Sequence, residues 1–299
     1  MALTQTNLEE SIPLIARGKV RDVYSLSDNS LLFVATDRIS AYDVVMKNGI
    51  PNKGKLLTAL SEFWFSLLSD ICPNHFISSS LDNLPENVRP YIDQLKDRSM
   101  IVKKLKVFPV EAIVRGYITG SAWKEYKKHG TVHGIEVPKG LKESDAFENP
   151  LFTPSTKAEQ GEHDENIHPD RMVELVGEKY AKKIEDLALA LYIKARDYAA
   201  GRGIIIADTK FEFGLDENDQ VVLVDEVLTP DSSRFWLASK YEVGKGQESY
   251  DKQYLRDWLT SNGVDGIPGV EMPVDVAENT SQKYLEAYEL LTGNKRGSS

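Results

Sequence analysis

The sequence predicts a two-lobed α/β (α+β) protein, with a small β-rich lobe over residues 1–107 and a larger α/β lobe over residues 108–299. Three observations predict it. The first hundred residues are mostly short apolar runs separated by turn residues. An apolar run over residues 100–108 stops at Pro109, whose ring removes a backbone donor and stiffens the joint between the lobes. Beyond it, a long segment of helical period is followed by two branched apolar runs, IIIADTKFEFG and VVLVDEVL. Ligand sites favour the cleft between such lobes.

The elements follow in order. IPLIARG and KVRDVYSL read as strands, and Asp28-Asn29-Ser30 turns the chain toward LLFVATD. Residues 54–69 change to a 3–4 spacing through Leu56, Leu60, Trp64 and Leu67, which predicts a helix. AWKEYKKH is a second helix, stopped by Gly130, with Ser121 placed to cap it. Residues 131–168 carry little periodicity and read as a long connection of the kind that is functional or disordered. One long helix is expected from Pro169 to Gly201. The two apolar runs of 204–236 then form a hairpin, and helices are expected over 250–261 and 275–292.

Composition narrows the function classes. A net charge of −10 disfavours nucleic-acid binding through the overall field. Cys72 is the single cysteine, so neither an internal disulfide nor a multi-cysteine metal site is available. The start lacks a basic segment followed by an apolar one, and no stretch reaches membrane-spanning length. A cytoplasmic monomer is expected, without membrane or nucleic-acid partners.

The densest chemistry lies at 204–236. Strand side chains alternate faces, so Asp208, Lys210 and Glu212 point one way and Thr209, Phe211 and Phe213 the other. If the hairpin sets residue 208 opposite 225, Asp225 joins that face. Such a face suits a magnesium–phosphate site, since this hard cation takes one or two carboxylates plus substrate phosphates. A solvated hairpin with cross-strand ion pairs is the plain alternative. In GKVRDVY, Gly18 lets the backbone approach a ligand, and Lys19 and Arg21 share a strand face suited to nucleotide phosphates; a hairpin with solvated charges explains them equally well. In VEAIVRGYITGS, Arg115 stands near a helix N-terminus that attracts anions, while Gly116 and Gly120 loosen the backbone; an ordinary helix cap beside a surface arginine is the plainer reading of this segment taken alone. Lys157, Glu159, Glu162, His163, Asp164 and Glu165 crowd a segment read as a loop closing over substrate, with a merely solvated loop as the plain alternative. PDSSRFW offers Asp231, Ser232, Ser233 and Arg234 for a phosphate or carboxylate, and Lys252 and Arg256 sit four apart on a helix, where they add charge for the same anion or, the commoner case, are solvated helix charges. No nucleophilic side chain stands out. Acids for magnesium and basic groups for anions fit ATP-dependent group transfer.

Together these segments resemble the SAICAR synthetase (phosphoribosylaminoimidazole-succinocarboxamide synthase) family. PVEAIVRGYITGS and ADTKFEFG are similar to its two signatures, and GKVRDVY, ATDRISAYD, KAEQGEHDENI and VDEVLTPDSSRFW to its other blocks in order, across residues 12–290. Length and the extended 127–168 region resemble the fungal single-function form. The resemblance implies a ligase joining L-aspartate to the carboxylate of CAIR, with ATP as co-substrate and Mg2+ as cofactor, through an acyl phosphate. It implies a kinase-like ATP-binding lobe. It implies that Gly18, Lys19 and Arg21 meet ATP phosphates and that the 104–111 segment, with Lys104 and Glu111, holds adenine. Glu212 and Asp225 match the magnesium acids. Arg115, Ser121, Asp208, Lys210, Ser233 and Arg234 match the CAIR pocket, with Lys252 and Arg256 as further candidates. Asp208 and Lys210 are the catalytic candidates, and Asp37 to Asp43 lines the same cleft without assigned roles. Two rivals remain: a small-molecule kinase with a hydroxyl acceptor, which aspartate-dependent ADP release separates, and a nucleotide-binding regulatory module without turnover.

Overall fold

A computed structural model describes residues 2–42, 44–157, 164–250 and 252–295. Two large antiparallel sheets, two small two-stranded sheets and seven α-helices are found among the described residues. The first sheet takes β1 (Leu14–Arg17), β2 (Arg21–Ser27) and β3 (Ser30–Ala35) as a meander. The short pair β4 (Ser40–Ala41) and β5 (Val44–Val45) then leads into α1 (Lys53–Leu67). β6 (Phe76–Ser78) and β7 (Ser99–Lys103) complete the first sheet in the order β1-β2-β3-β7-β6.

The apolar run over 100–108 is two strands. It breaks at Lys104–Leu105, and β8 (Lys106–Val107) joins the second sheet. That sheet continues with β9 (Val110–Tyr117). α3, here after the short α2 (Ile92–Leu95), spans Gly120–His129 and ends at Gly130 in the left-handed region, as its sequence predicts. The connection over 131–168 carries more structure than its irregular pattern implied: β10 (Thr131–Val132), β11 (Ile135–Glu136), β12 (Ala146–Phe152) and β13 (Ser155–Thr156). β12 and β13 both pair with β9. The pairing, not the side-chain period, stabilises these strands, so periodicity could not reveal them.

The single helix expected from Pro169 is two, α4 (Pro169–Val176) and α5 (Glu178–Ala200). Gly177 separates them at φ 84° and ψ 150°, a backbone conformation that glycine adopts without Cβ strain. α5 lays Ile184, Leu187 and Leu191 against Ile204, Ile206, Phe211 and Phe213 of the sheet. Tyr192 OH donates to Ile206 O at 2.7 Å. A Cβ at Gly116 would stand 2.0 Å from that hydroxyl, so Gly116 provides clearance for α5 rather than looseness before α3.

β14 (Ile204–Leu215), β15 (Val221–Val224) and β16 (Ser233–Leu237) form the rest of the second sheet. The predicted hairpin exists, but Glu212, not Asp208, faces the end of the partner strand: the register pairs Glu212 with Val224 and Leu215 with Val221. β14 is longer than β15, and its first half pairs with β16 instead, Asp208 opposite Arg234. α6 (Gln253–Ser261) and α7 (Val274–Thr292) form a separate apolar cluster with Ile39, Met46 and Ile50. Asp37 is buried beneath this region. It accepts from Arg98 Nη1 at 2.9 Å and from Gly54 N at 2.9 Å, which ties down the start of α1. Asp43 lies outside the described residues.

Candidate active site

Strand alternation builds the site as the sequence predicts. Phe211 and Phe213 enter the core, and Thr209 Oγ1 meets Ser233 Oγ at 2.8 Å on that same side. Asp208, Lys210 and Glu212 occupy the other face of β14. Ser233 is thus drawn away from the charged face, whereas its neighbour Arg234 remains on it.

Asp208 stands between two guanidiniums in a row across three strands, opposite Arg115 of β9 and Arg234 of β16. Both donate to the same Oδ2, Arg115 Nη1 at 3.1 Å. Arg115 is buried and almost wholly engaged. Its Nε donates to Thr153 Oγ1 at 3.1 Å, and its Nη2 reaches Ser121 Oγ at 3.5 Å and His133 Nε2 at 3.3 Å. Burial pushes its pKa down, with Asp208 opposing. Ser121 therefore lies inside the first turn of α3, where Thr119 is the cap residue; it makes no cap bond.

Arg234 lies over the N-terminus of α3. Gly120 there has φ 58°, and a Cβ would come within 2.6 Å of Arg234 Nη2. Gly120→Ala should strain the backbone and push the guanidinium aside, at a cost of about 1 kcal/mol or more. Urea unfolding would measure this; an unchanged midpoint would show that the turn relaxes freely.

Lys210 Nζ donates to Glu111 Oε1 and lies 3.6 Å from Glu212 Oε1. Lys157 pairs with the other oxygen of Glu212. Burial works against the Lys210 charge, but Glu212, Glu111 and Asp225 raise its pKa well above the usual value. Lys210 is a fixed cation suited to stabilising negative charge. Glu111, expected at the adenine, is buried and also accepts from Ser155 Oγ at 3.0 Å; its pKa is raised, burial first.

Asp225 follows β15 at φ 66° in the left-handed region. Arg21, expected at the phosphates, instead spans Asp225 Oδ1 at 3.1 Å and Glu226 Oε1 at 3.0 Å. Burial opposes the charge of Arg21, and Asp225 and Glu226 more than restore it. For Asp225, burial raises the pKa, yet Arg21, Lys210 and Lys157 hold it below the usual carboxylate range. Glu226 is raised, burial outweighing Arg21. Lys19 lies in the exposed turn between β1 and β2, not on their strand face, where Gly18 N donates to Arg21 O at 2.7 Å. Lys104 is exposed at the break between the sheets. Lys252 Nζ lies 3.6 Å from Asp231 Oδ2, and Arg256 is one turn further along α6. Glu159, Glu162 and His163 lie outside the described residues.

Glu226, His133 and Lys53 are partners that the sequence did not reveal. Glu226 could have been found as the acid beside Asp225; His133 and Lys53 have no local signal. His133 Nδ1 faces the carbonyl of Pro154 at 2.9 Å, so it carries the ring proton. Its Nε2 therefore accepts from Arg115. Burial, then Arg115, lowers the His133 pKa to about 4, and burial lowers that of His75 to about 4. Both bind a proton near 6.5 when unfolded, so stability is present above 6.5 and is lost as pH falls toward 4. His75 Nε2 has no hydrogen-bond partner among the described residues, and its ring packs on Phe33 and Phe65. His75→Phe should therefore flatten the loss of unfolding free energy between neutral and mildly acid pH; an unaltered slope would exclude His75 as a contributor.

No group of three or more His, Cys, Asp or Glu forms a metal cage among the described residues. Magnesium needs less, because phosphates complete its shell. Glu212 and Asp225, both hard oxygen donors within reach of Lys157 and Lys210, fit that chemistry. A row of cations and carboxylates beside such a pair can bind phosphate and carboxylate ligands together.

Known proteins share this sequence and fold over nearly the full chain. The SAICAR synthetase family model matches residues 14–270. A phosphoribosylaminoimidazole-succinocarboxamide synthase of Pichia angusta is 64% identical, covering 98% of this chain and 99% of its own length. The SAICAR synthase of Saccharomyces cerevisiae, solved in complex with SAICAR, is 57% identical with a TM-score of 0.93, covering 99% of both chains. A SAICAR synthetase solved with ADP is 27% identical with a TM-score of 0.70, covering 94% of this chain and 99% of its own. With the family model and a near full-length match in agreement, the chain belongs to the SAICAR synthetase family.

Proposed function

We propose that this protein joins L-aspartate to the carboxylate of CAIR, with ATP converted to ADP and phosphate, to give SAICAR in purine biosynthesis. The observation that carries the reading is the single charged face of β9, β14 and β16, where Arg115, Asp208 and Arg234 form a row next to Lys210 and Glu212. The relatives solved with SAICAR and with ADP support the same ligand classes.

Residues 1–107 then serve as the ATP-binding lobe and 108–299 as the substrate lobe. Lys19 and Gly18 meet the ATP phosphates from their exposed turn, and Lys104 borders the adenine. Arg21 acts on the nucleotide through the acids that it holds. Glu212 and Asp225 would hold magnesium, which supplies charge neutralisation between phosphate oxygens when bound. Arg234, Ser121, Lys252 and Arg256 receive the anionic groups of CAIR, and Arg115 keeps Asp208 in place.

The CAIR carboxylate oxygen attacks the γ-phosphorus and ADP leaves, forming an acyl phosphate. Lys210 stabilises charge on the transferring group, while Asp208 orients the acceptor. The aspartate amine then attacks the acyl carbon, loses a proton and expels phosphate. That phosphate carries one oxygen from the original carboxylate. With oxygen-18 in the CAIR carboxylate, one label should appear in the released phosphate. Unlabelled phosphate would eliminate carboxylate activation and the ligase reading with it.

A further inference from the structure

Lys53, the first residue of α1, is fully buried. Its Nζ donates to Asp231 Oδ2 at 2.6 Å, while Lys252 Nζ approaches the same oxygen at 3.6 Å. Tyr284 OH, from α7, donates to the other oxygen at 2.6 Å. Two ammoniums from different helices thus converge on one carboxylate, and no other carboxylate among the described residues lies within ion-pair distance of either. Burial lowers the Lys53 pKa and Asp231 opposes it, with Lys252 adding to the lowering. Replacing a buried ion pair by apolar side chains of similar volume is often neutral or stabilising, so stability is a weak reason for a lysine here. The two lysines differ in access: the side chain of Lys53 is 0% exposed and that of Lys252 11%. Only Lys252 can meet a ligand.

We infer that Lys53 is a positioning residue for anion recognition, holding Asp231 at hydrogen-bond distance so that the Lys252 ammonium keeps only the longer 3.6 Å contact to that carboxylate and can also meet a phosphate or carboxylate of the substrate. Without Lys53, the Asp231 carboxylate would take Lys252 as its full partner, and the ligand would have to compete with it. The inference rests on the reading that Lys252 belongs to the CAIR pocket.

The experiment uses steady-state kinetics of the full chain with CAIR, ATP and aspartate varied in turn. Lys53→Met should raise the KM for CAIR about tenfold, the usual worth of one charge-assisted contact, with kcat and the KM for ATP nearly unchanged. Lys53→Gln, which keeps a donor to Asp231 without the charge, should do the same and carries the test if the Met variant does not fold. The double variant with Lys252→Met should be no worse than Lys252→Met alone. A folded Lys53 variant with unchanged KM for CAIR, beside a Lys252→Met variant with raised KM, overturns the inference. So does full additivity in the double variant. If Lys252→Met itself leaves the KM unchanged, the pocket assignment of Lys252 is what fails.

Discussion

Asp225→Asn is expected to lower turnover by roughly two orders of magnitude or more, comparable to losing a transition-state electrostatic contact. Asp225 holds φ 66°, a left-handed conformation that Asn tolerates as readily as Asp. The change thus removes charge while leaving the backbone in place. Arg21 keeps Glu226 as its partner at 3.0 Å, so the anchor between the first sheet and this loop survives. What disappears is one of the two hard oxygen donors for magnesium. Raising magnesium should recover part of the activity if the ion binds more weakly rather than not at all. Near-normal kcat at ordinary magnesium would sink the metal role of Asp225.

Asp208→Asn has the larger expected effect on stability. The carboxylate is 5% exposed and receives guanidiniums from both neighbouring strands. Arg115 is 3% exposed and cannot turn to water. Breaking a buried pair by removing one partner costs about 3–5 kcal/mol, because an uncompensated charge stays behind. Urea unfolding should show this as a lower midpoint at constant slope. Activity should fall as well, since Arg234 loses the group that fixes it across the sheet. A stability loss under about 1 kcal/mol, the range of an exposed pair, would mean that Arg115 finds compensation elsewhere.

The charged face of β14 was legible because strand alternation is local: Asp208, Lys210 and Glu212 follow it while Phe211 and Phe213 fill the core. The ends of α3 and α7 were legible for a similar reason, through their glycine stops. Register was not. β14 has more residues than either partner on that side, and a sequence does not say where one partner yields to the next. The break at Gly177 was hidden within a continuous apolar stripe. Ser233 reads as an anion contact because its hydroxyl suits one, and only the fold shows that Thr209 Oγ1 meets that hydroxyl at 2.8 Å. Lys53 was overlooked altogether. In NKGK it reads as a solvated lysine, and only the return of Asp231 and Tyr284 from far along the chain makes it buried.

β14 is joined to β9, whose Arg115 lies 93 positions before Asp208, and to β16 on its other side. Its central amides are locked on both edges by strands that must first close a long loop. Hydrogen exchange there should proceed only through whole-molecule opening, whereas the exposed turn holding Lys19 exchanges by local fluctuation. Folding follows the same order. High contact order makes this sheet slow to assemble, so a nascent or partly folded chain has helices long before it has an active site. Ligands that bridge β9, β14 and β16 therefore act as late-stage staples, selecting the completed fold over every earlier species.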